Sequence, residues 1–344
     1  MQAEQLPDAP RAGATPGAAA PRSFQVASIG ALVERQMGRY GDKPFLTEYD
    51  DGRGERVELS YRTFENWTAK IANLLVEELD VAEGARVAVV VGNTWRAVAI
   101  SFACWRAGVG VLALDPAAPA GPTAARLRDA GAAAAFVADE RLAGLAAALR
   151  PAAGRTVLVA VGGGLLGRSG ADPATAIDFG TAVLGMGDVF DPAGDLSGEA
   201  LAPGAGGGLT QRDLLAAAGS LAGLLRLRDS DRLLIGLPTH QRGGVTACLA
   251  AFAAGGGVVL SRGFDPGAFW KRLADEKVTT ALLPTGQVEA VLQAEAEPGG
   301  LDLARLRTVA CAPGPPPAAL AAAWAERFRL PLSAAPANLA EARP

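Results

Sequence analysis

His240 is the only histidine among 344 residues, and it follows an apolar segment beside Thr239 and Arg242, ahead of Gly243 and Gly244. A titratable imidazole in a loop opening from the carboxyl edge of a strand stands where α/β sheets bind ligands. A hydrogen-bonded loop histidine is the competing reading. A second candidate is Pro203-Gly204-Ala205-Gly206-Gly207-Gly208, which leads to Thr210-Gln211-Arg212-Asp213. A glycine-rich loop opening a helix can hold phosphate through backbone N–H groups and the positive end of the helix dipole. Here no lysine and no hydroxyl lies between Pro203 and Gly208, and Arg212 is the nearby cation. Asp213, at N3 of a capping-box-like start, would compete with an anion for the same N–H groups, so a flexible linker is the alternative. Gly162 to Gly167 satisfies G-x-G-x-x-G after an expected strand, the pattern of a dinucleotide loop. The loop-like Arg168-Ser169-Gly170-Ala171-Asp172-Pro173 follows, so the required helix is missing, and 43 glycines make a chance match easy.

Asp188, Asp191, Asp195 and Glu199 lack the alternate-residue spacing of a calcium loop and read as a solvated segment. Cys104, Cys248 and Cys311 are far apart and form no C-x-x-C pair. That argues against a zinc site or disulfide framework and fits a reducing cytoplasm. Acidic residues exceed basic ones, 36 to 32, which leaves no surplus of cations for nucleic acid or an anionic membrane. Half the residues are hydrophobic and 20% charged, enough for a large core in roughly two domains. The uncharged stretch from Gly243 to Ser261 is interrupted by Gly255-Gly256-Gly257. It therefore reads as buried helix, turn and strand, with no membrane span.

These candidates need a scaffold. Residues 1–22 are an Ala/Pro/Gly-rich tail, read as disordered. A helix from Ser28 to Arg39 precedes strands at Pro44 to Tyr49 and Glu55 to Leu59, which Asp51-Gly52 could turn into a hairpin. From Ser60, the spacing of Phe64, Trp67, Ile71, Leu74, Leu75 and Leu79 predicts a long amphipathic helix. Arg86 to Val91 then reads as a strand buried on both faces, with a helix from Thr94 to Ala107 and a strand from Val109 to Leu114 behind it. Strand and helix continue to alternate to Val161, and again from Thr210 to Phe328, which implies layered α/β architecture with parallel sheets. The chain divides into a first α/β subdomain at 23–161, a Gly/Pro/Asp-rich connector at 162–208 and a second α/β subdomain at 209–344.

The segments together resemble the large N-terminal domain of the AMP-forming adenylate ligases, the superfamily of acyl-CoA synthetases, luciferases and peptide-synthetase adenylation domains. The resemblance covers about Ser28 to Ala342. It rests on Tyr40-Gly41-Asp42-Lys43-Pro44, on Leu59-Ser60-Tyr61-Arg62-Thr63-Phe64 and on Gly84 to Val89 leading to Gly92-Asn93. Ala107-Gly108-Val109 and Leu114-Asp115-Pro116 complete its first half. His240 to Gly244, Phe264-Asp265-Pro266, Leu283-Pro284-Thr285 and Ala310-Cys311-Ala312-Pro313 follow in the family's order. The fold implied is two Rossmann-like βα subdomains. The chemistry implied is activation of a small carboxylic acid by ATP as an acyl-adenylate, with Mg²⁺ screening the pyrophosphate and a thiol commonly capturing the acyl group.

On this resemblance His240, Gly243 and Gly244 would meet substrate. Gly206, Gly207, Arg212, Ala312, Pro313 and Asn338 would meet ATP or AMP, and Glu341 is the counterpart of a Mg²⁺-associated glutamate. The departures fall on the triphosphate. The family's Ser/Thr/Gly-rich loop ending Pro-Lys-Gly is replaced by the Gly-only run, and the lysines, Lys43, Lys70, Lys271 and Lys277, all stand elsewhere. Tyr-Gly-x-Thr-Glu survives as Ala337-Asn338-Leu339-Ala340-Glu341, and Pro344 follows before any ribose-binding aspartate, hinge or lysine-bearing C-terminal domain. Each lost contact of this kind costs about 3–4 kcal/mol of transition-state stabilisation. The expectation is a degenerate, non-catalytic ligase-like domain, a pseudoenzyme that binds an acyl or adenylate ligand or a protein partner. The alternatives are a carboxylate-adenylating half completed in trans and, more distantly, an NAD(P)-binding oxidoreductase.

Overall fold

The computed structural model describes residues 24–149, 156–163, 168–191, 199–201, 208–312 and 314–335. The chain begins with α1 (Ile29–Tyr40), β1 (Pro44–Asp50), β2 (Glu55–Ser60), α2 (Tyr61–Asn73), β3 (Arg86–Val90) and α3 (Trp95–Arg106). It continues through β4 (Gly110–Ala113), α4 (Ala120–Asp129), β5 (Ala134–Ala138), α5 (Asp139–Leu149), β6 (Val157–Val161), β7 (Ile177–Asp178) and α6 (Phe179–Leu184). Next come β8 (Glu199–Leu201), β9 (Leu209–Thr210), α7 (Gln211–Leu224), β10 (Arg232–Ile235), α8 (Arg242–Ala254) and β11 (Gly257–Arg262). Last are α9 (Phe269–Asp275), β12 (Thr280–Pro284), α10 (Thr285–Gln293), β13 (Thr308–Ala312), α11 (Ala318–Phe328) and β14 (Leu332–Ala334).

Local chemistry sets the helix starts. The hydroxyls of Ser28, Ser60, Thr94 and Thr210 each accept from the backbone N–H three residues on, satisfying a donor that the first helical turn would otherwise leave unpaired. Gly255 ends α8 in the left-handed conformation at φ +80°, and a Cβ there would overlap the Tyr40 ring at 2.3–2.4 Å. None of the described helices is long and apolar enough to cross a membrane.

The strands form two seven-stranded sheets. Sheet A runs β14-β13-β12-β10-β11-β1-β2 and sheet B runs β7-β6-β5-β3-β4-β8-β9. Within each, five parallel strands share the doubly wound order 2-1-3-4-5, numbered from β10 in A and from β3 in B. Each is extended at one edge by a strand pair whose first member is parallel to the sheet and whose second is antiparallel.

The extensions are exchanged along the chain. β1 and β2 precede sheet B but complete sheet A, with Leu46 opposite Val258, and β8, inside the 162–208 connector, joins β4 of sheet B. The connector also contains β7 and α6, the latter capped by Asp178, so it carries parts of sheet B as well as linking chain.

Burial follows strand alternation. Val87 and Val89 of β3 face a middle layer of helices, while Ala88 and Val90 face α4 and α5. Leu233 and Ile235 of β10 face the same middle layer, and Leu234 faces α9 to α11. Five layers result, helices outside and between two sheets, and strands covered on both faces must be continuously apolar.

The middle layer is riveted by polar groups. Gln36 donates to the carbonyls of Phe252 and Ala253, and the Tyr61 hydroxyl to those of Phe252 and Gly256, at 2.6–3.2 Å. Residues near the amino terminus thus pair the carbonyls at and just beyond the end of α8. Burial raises the Tyr61 hydroxyl well above the usual phenol range, so it stays a donor.

Candidate functional site

In sheet A the chain leaves β10 for β11 on one side and then crosses to β12 on the other, so the switch point lies at the carboxyl ends of β10 and β12. Gly236 to His240 follow β10 there, and Pro284 and Thr285 follow along β12. Two close approaches shape this loop. A Cβ on Gly236 would lie 2.1 Å from the Gln287 side chain, and one on Gly244 would lie 2.2 Å from the Pro238 carbonyl oxygen. Gly244 therefore lets α8 start directly against the loop. Gln287 Nε2 donates to the Gly236 carbonyl at 3.2 Å, and the Thr285 hydroxyl lies 3.3 Å from Cys311 Sγ.

Sheet B contributes from the other side. The Asn93 side chain accepts from the Thr239 N–H at 2.7 Å and donates to the Leu237 carbonyl at 3.0 Å. Asp115, just beyond β4, places a carboxylate oxygen 3.9 Å from His240 Nε2. The imidazole, 17% exposed, faces a carboxylate half open to solvent. A ligand approaching this edge meets a partly shielded histidine held between both sheets.

The helix starts nearby differ in their readiness for an anion. At α7 the Thr210 hydroxyl accepts from Asp213 N–H at 3.1 Å, while the Asp213 carboxylate accepts from the Thr210 N–H at 3.0 Å and its hydroxyl at 2.7 Å. Those hydrogen bonds from Thr210 hold the Asp213 carboxyl below the usual range, so it puts a negative charge at the start of α7. Arg212 is exposed on the same turn, and the charge of Arg242, at the start of α8, also reaches Asp213. At α8 the capping residue, Gln241, makes no side-chain hydrogen bond to the first turn.

The lysines serve elsewhere. Lys43 donates to the Asp229 and Gly255 carbonyls, Lys70 to the Met186 carbonyl, Lys271 pairs with Asp275, and Lys277 turns the chain after α9. Among the described residues no group of three His, Cys, Asp or Glu side chains is placed to hold a metal ion.

His240, Gly243 and Gly244 thus share one loop and helix start, and Ala312 ends β13 at the same sheet edge. Gly206, Gly207, Pro313, Asn338 and Glu341 lie outside the described residues. Asn93 and Asp115 stand within stretches of family likeness and are not among the candidate site residues that the sequence offers. Their signal was available: Gly92-Asn93 follows the first strand of one sheet as Thr239-His240 follows that of the other. Gly162 and Gly163 have another use, since a Cβ on the first would strike the Arg168 backbone at 1.8 Å and one on the second the Arg53 guanidinium at 2.4 Å. The next helix in the described chain is α6, after β7.

Residues 33–175 and 206–335 match the sequence profile of the family described as AMP-binding enzyme. A TIGR03089 family protein of Mycobacterium tuberculosis (strain ATCC 25618 / H37Rv) is 32% identical over 272 residues, covering 74% of this chain and 97% of that protein. The anthranilate CoA ligase AuaEII, solved with anthranoyl-AMP, superposes with a TM-score of 0.74 at 19% identity over 89% of this chain. The long-chain-fatty-acid-CoA ligase FadD1 of Archaeoglobus fulgidus gives 0.75 at 17% identity over 89%. The chain spans 58% and 62% of those two ligases, which share its fold. By its sequence match and its curated relative, the chain belongs to the AMP-binding enzyme family.

Proposed function

We propose that this protein binds an acyl or adenylate ligand at the His240 edge of sheet A and does not by itself complete acyl adenylation. One observation supports the reading: at the start of α7 the Thr210 N–H and hydroxyl and the Asp213 N–H are taken up by a capping box that puts a carboxylate there. The histidine loop beside it remains packed and in place. A triphosphate brings several negative charges and needs preorganised cations. Arg212 and Arg242 are the cations near Asp213, and the four lysines are committed to other parts of the fold. Glu341, the residue the resemblance assigns to Mg²⁺, lies outside the described residues. An adenosine monophosphate ester carries less charge and makes smaller demands on this edge.

A carboxylate-adenylating half completed in trans is the second reading, and it draws on the length comparison with the solved ligases. Dinucleotide binding stays the distant alternative, and the close approach of Gly162 to the Arg168 backbone and of Gly163 to the Arg53 side chain weighs against it.

Calorimetric titration with AMP, ATP and non-hydrolysable acyl-adenylate analogues tests the reading. The analogue is expected to bind, His240→Ala to weaken it roughly tenfold, and ATP to bind no more tightly than AMP. Absence of binding by every nucleotide at about 1 mM would remove the ligand-binding function.

A further inference from the structure

We infer that Asn93 is the positioning residue for His240, so that the sheet carrying no histidine sets the geometry of the site on the other. This rests on the ligand site lying at the His240 edge. The segment between β10 and α8 runs from Gly236 to Gln241, and within it the Gln241 N–H closes a turn on the Pro238 carbonyl at 3.0 Å while the Thr239 hydroxyl reaches the Gly92 carbonyl at 3.5 Å. Sheet A holds its start, where the Gly236 N–H donates to the Leu282 carbonyl and Gln287 to the Gly236 carbonyl. Beyond Gly236 the sheet offers no continuing ladder, because β10 ends at Ile235.

Asn93 takes over there. Its amide accepts from the N–H of Thr239 and donates to the carbonyl of Leu237, one residue on either side of Pro238. This two-way grip is that of a neighbouring strand, supplied by one side chain to a segment whose central residue, proline, has no N–H to offer. Thr239 is itself buried, so losing the acceptor would strand its N–H away from water. The next residue is His240. Asn93 also lies one residue before Thr94, the cap of α3, a helix whose described residues are all buried between the sheets. The grip is therefore anchored in the middle layer and cannot drift with a surface loop. Asp115, also from sheet B, faces the imidazole that this grip presents.

The single histidine makes the test unambiguous. In protein labelled with ¹³C at histidine, the wild type gives one imidazole Cε1–Hε1 correlation. Asn93→Ala is expected to move or split it with the far-UV spectrum retained and the thermal midpoint lowered by only a few degrees, and to weaken binding of the acyl-adenylate analogue roughly ten- to a hundredfold. Asn93→Asp keeps the acceptor for Thr239 but sets an oxygen against the Leu237 carbonyl, and should fall between. A histidine correlation in Asn93→Ala superimposable on the wild type overturns the inference. Should that variant not fold, Asn93→Asp is read by the same criterion. If no analogue binds either protein, the proposed function fails while the histidine signal still decides the role of Asn93.

Discussion

Phe252→Ala is expected to destabilise the protein by about 3–5 kcal/mol, the cost of truncating a fully buried phenylalanine and leaving a cavity behind. Phe252 lies on α8 in the middle layer and is 0% exposed. Its ring centroid is 4.8 Å from Phe45 on β1, 5.0 Å from Tyr61 and 5.7 Å from Phe64 on α2, and 5.3 Å from Phe102 on α3. Edge and tilted contacts of this kind add to area burial, so each lost neighbour counts beyond its surface. Relaxation is restricted because the Phe252 carbonyl is also gripped by Gln36 and Tyr61. Chemical denaturation of wild type and variant checks the figure; a loss below about 1 kcal/mol would mean that the layer repacks freely.

Glu276→Gln is expected to cost about 1–2 kcal/mol at neutral pH, because it removes the buried anion of a partly exposed charge network and leaves Arg56 and Arg232 to share Glu58. Glu276, at the end of α9, accepts from Arg56 at 2.8 Å and from Tyr49, and pairs with Arg232, joining the β1–β2 hairpin to the sheet it completes. Glu58 pairs with Arg56 at 2.6 Å and strengthens the same clamp. Burial alone would raise the Glu276 carboxyl, but hydrogen bonds from Arg56 and Tyr49 and the charge of Arg232 outweigh it and hold the group below the usual range.

The sign of the pH dependence follows. A carboxyl depressed in the folded state contributes stability that is present above its unfolded value, about 4.5, and lost as the pH falls through the folded one. Glu48 works in the opposite sense, because burial raises its carboxyl. The difference between wild type and variant is therefore the quantity to follow. It should be full at pH 7 and shrink once the pH drops below about 4.5. A difference that stays constant across that range would show that the clamp does not depend on the charge.

Much of the scaffold was legible before any coordinates. Caps at Ser28, Ser60, Thr94 and Thr210 are local chemistry, and the buried strands announce themselves as apolar runs covered on both faces. The exchange of edge strands was not legible. Pairing of Leu46 with Val258 is a long-range event whose loop-closure cost no short window contains. β7, β8, β9 and β14 are only two or three residues long and owe their extension to a neighbouring strand, so their own sequence carries little signal. The capping box predicted from Thr210 and Asp213 is formed. The Asn93 grip was not foreseen, because it joins loops of two different sheets.

The most direct measurement is ATP–pyrophosphate exchange by the purified polypeptide over a panel of small aliphatic and aromatic carboxylic acids. The proposed function predicts exchange indistinguishable from a protein-free blank, even where the acyl-adenylate analogue binds. Sustained, acid-dependent exchange by this polypeptide alone would contradict the account.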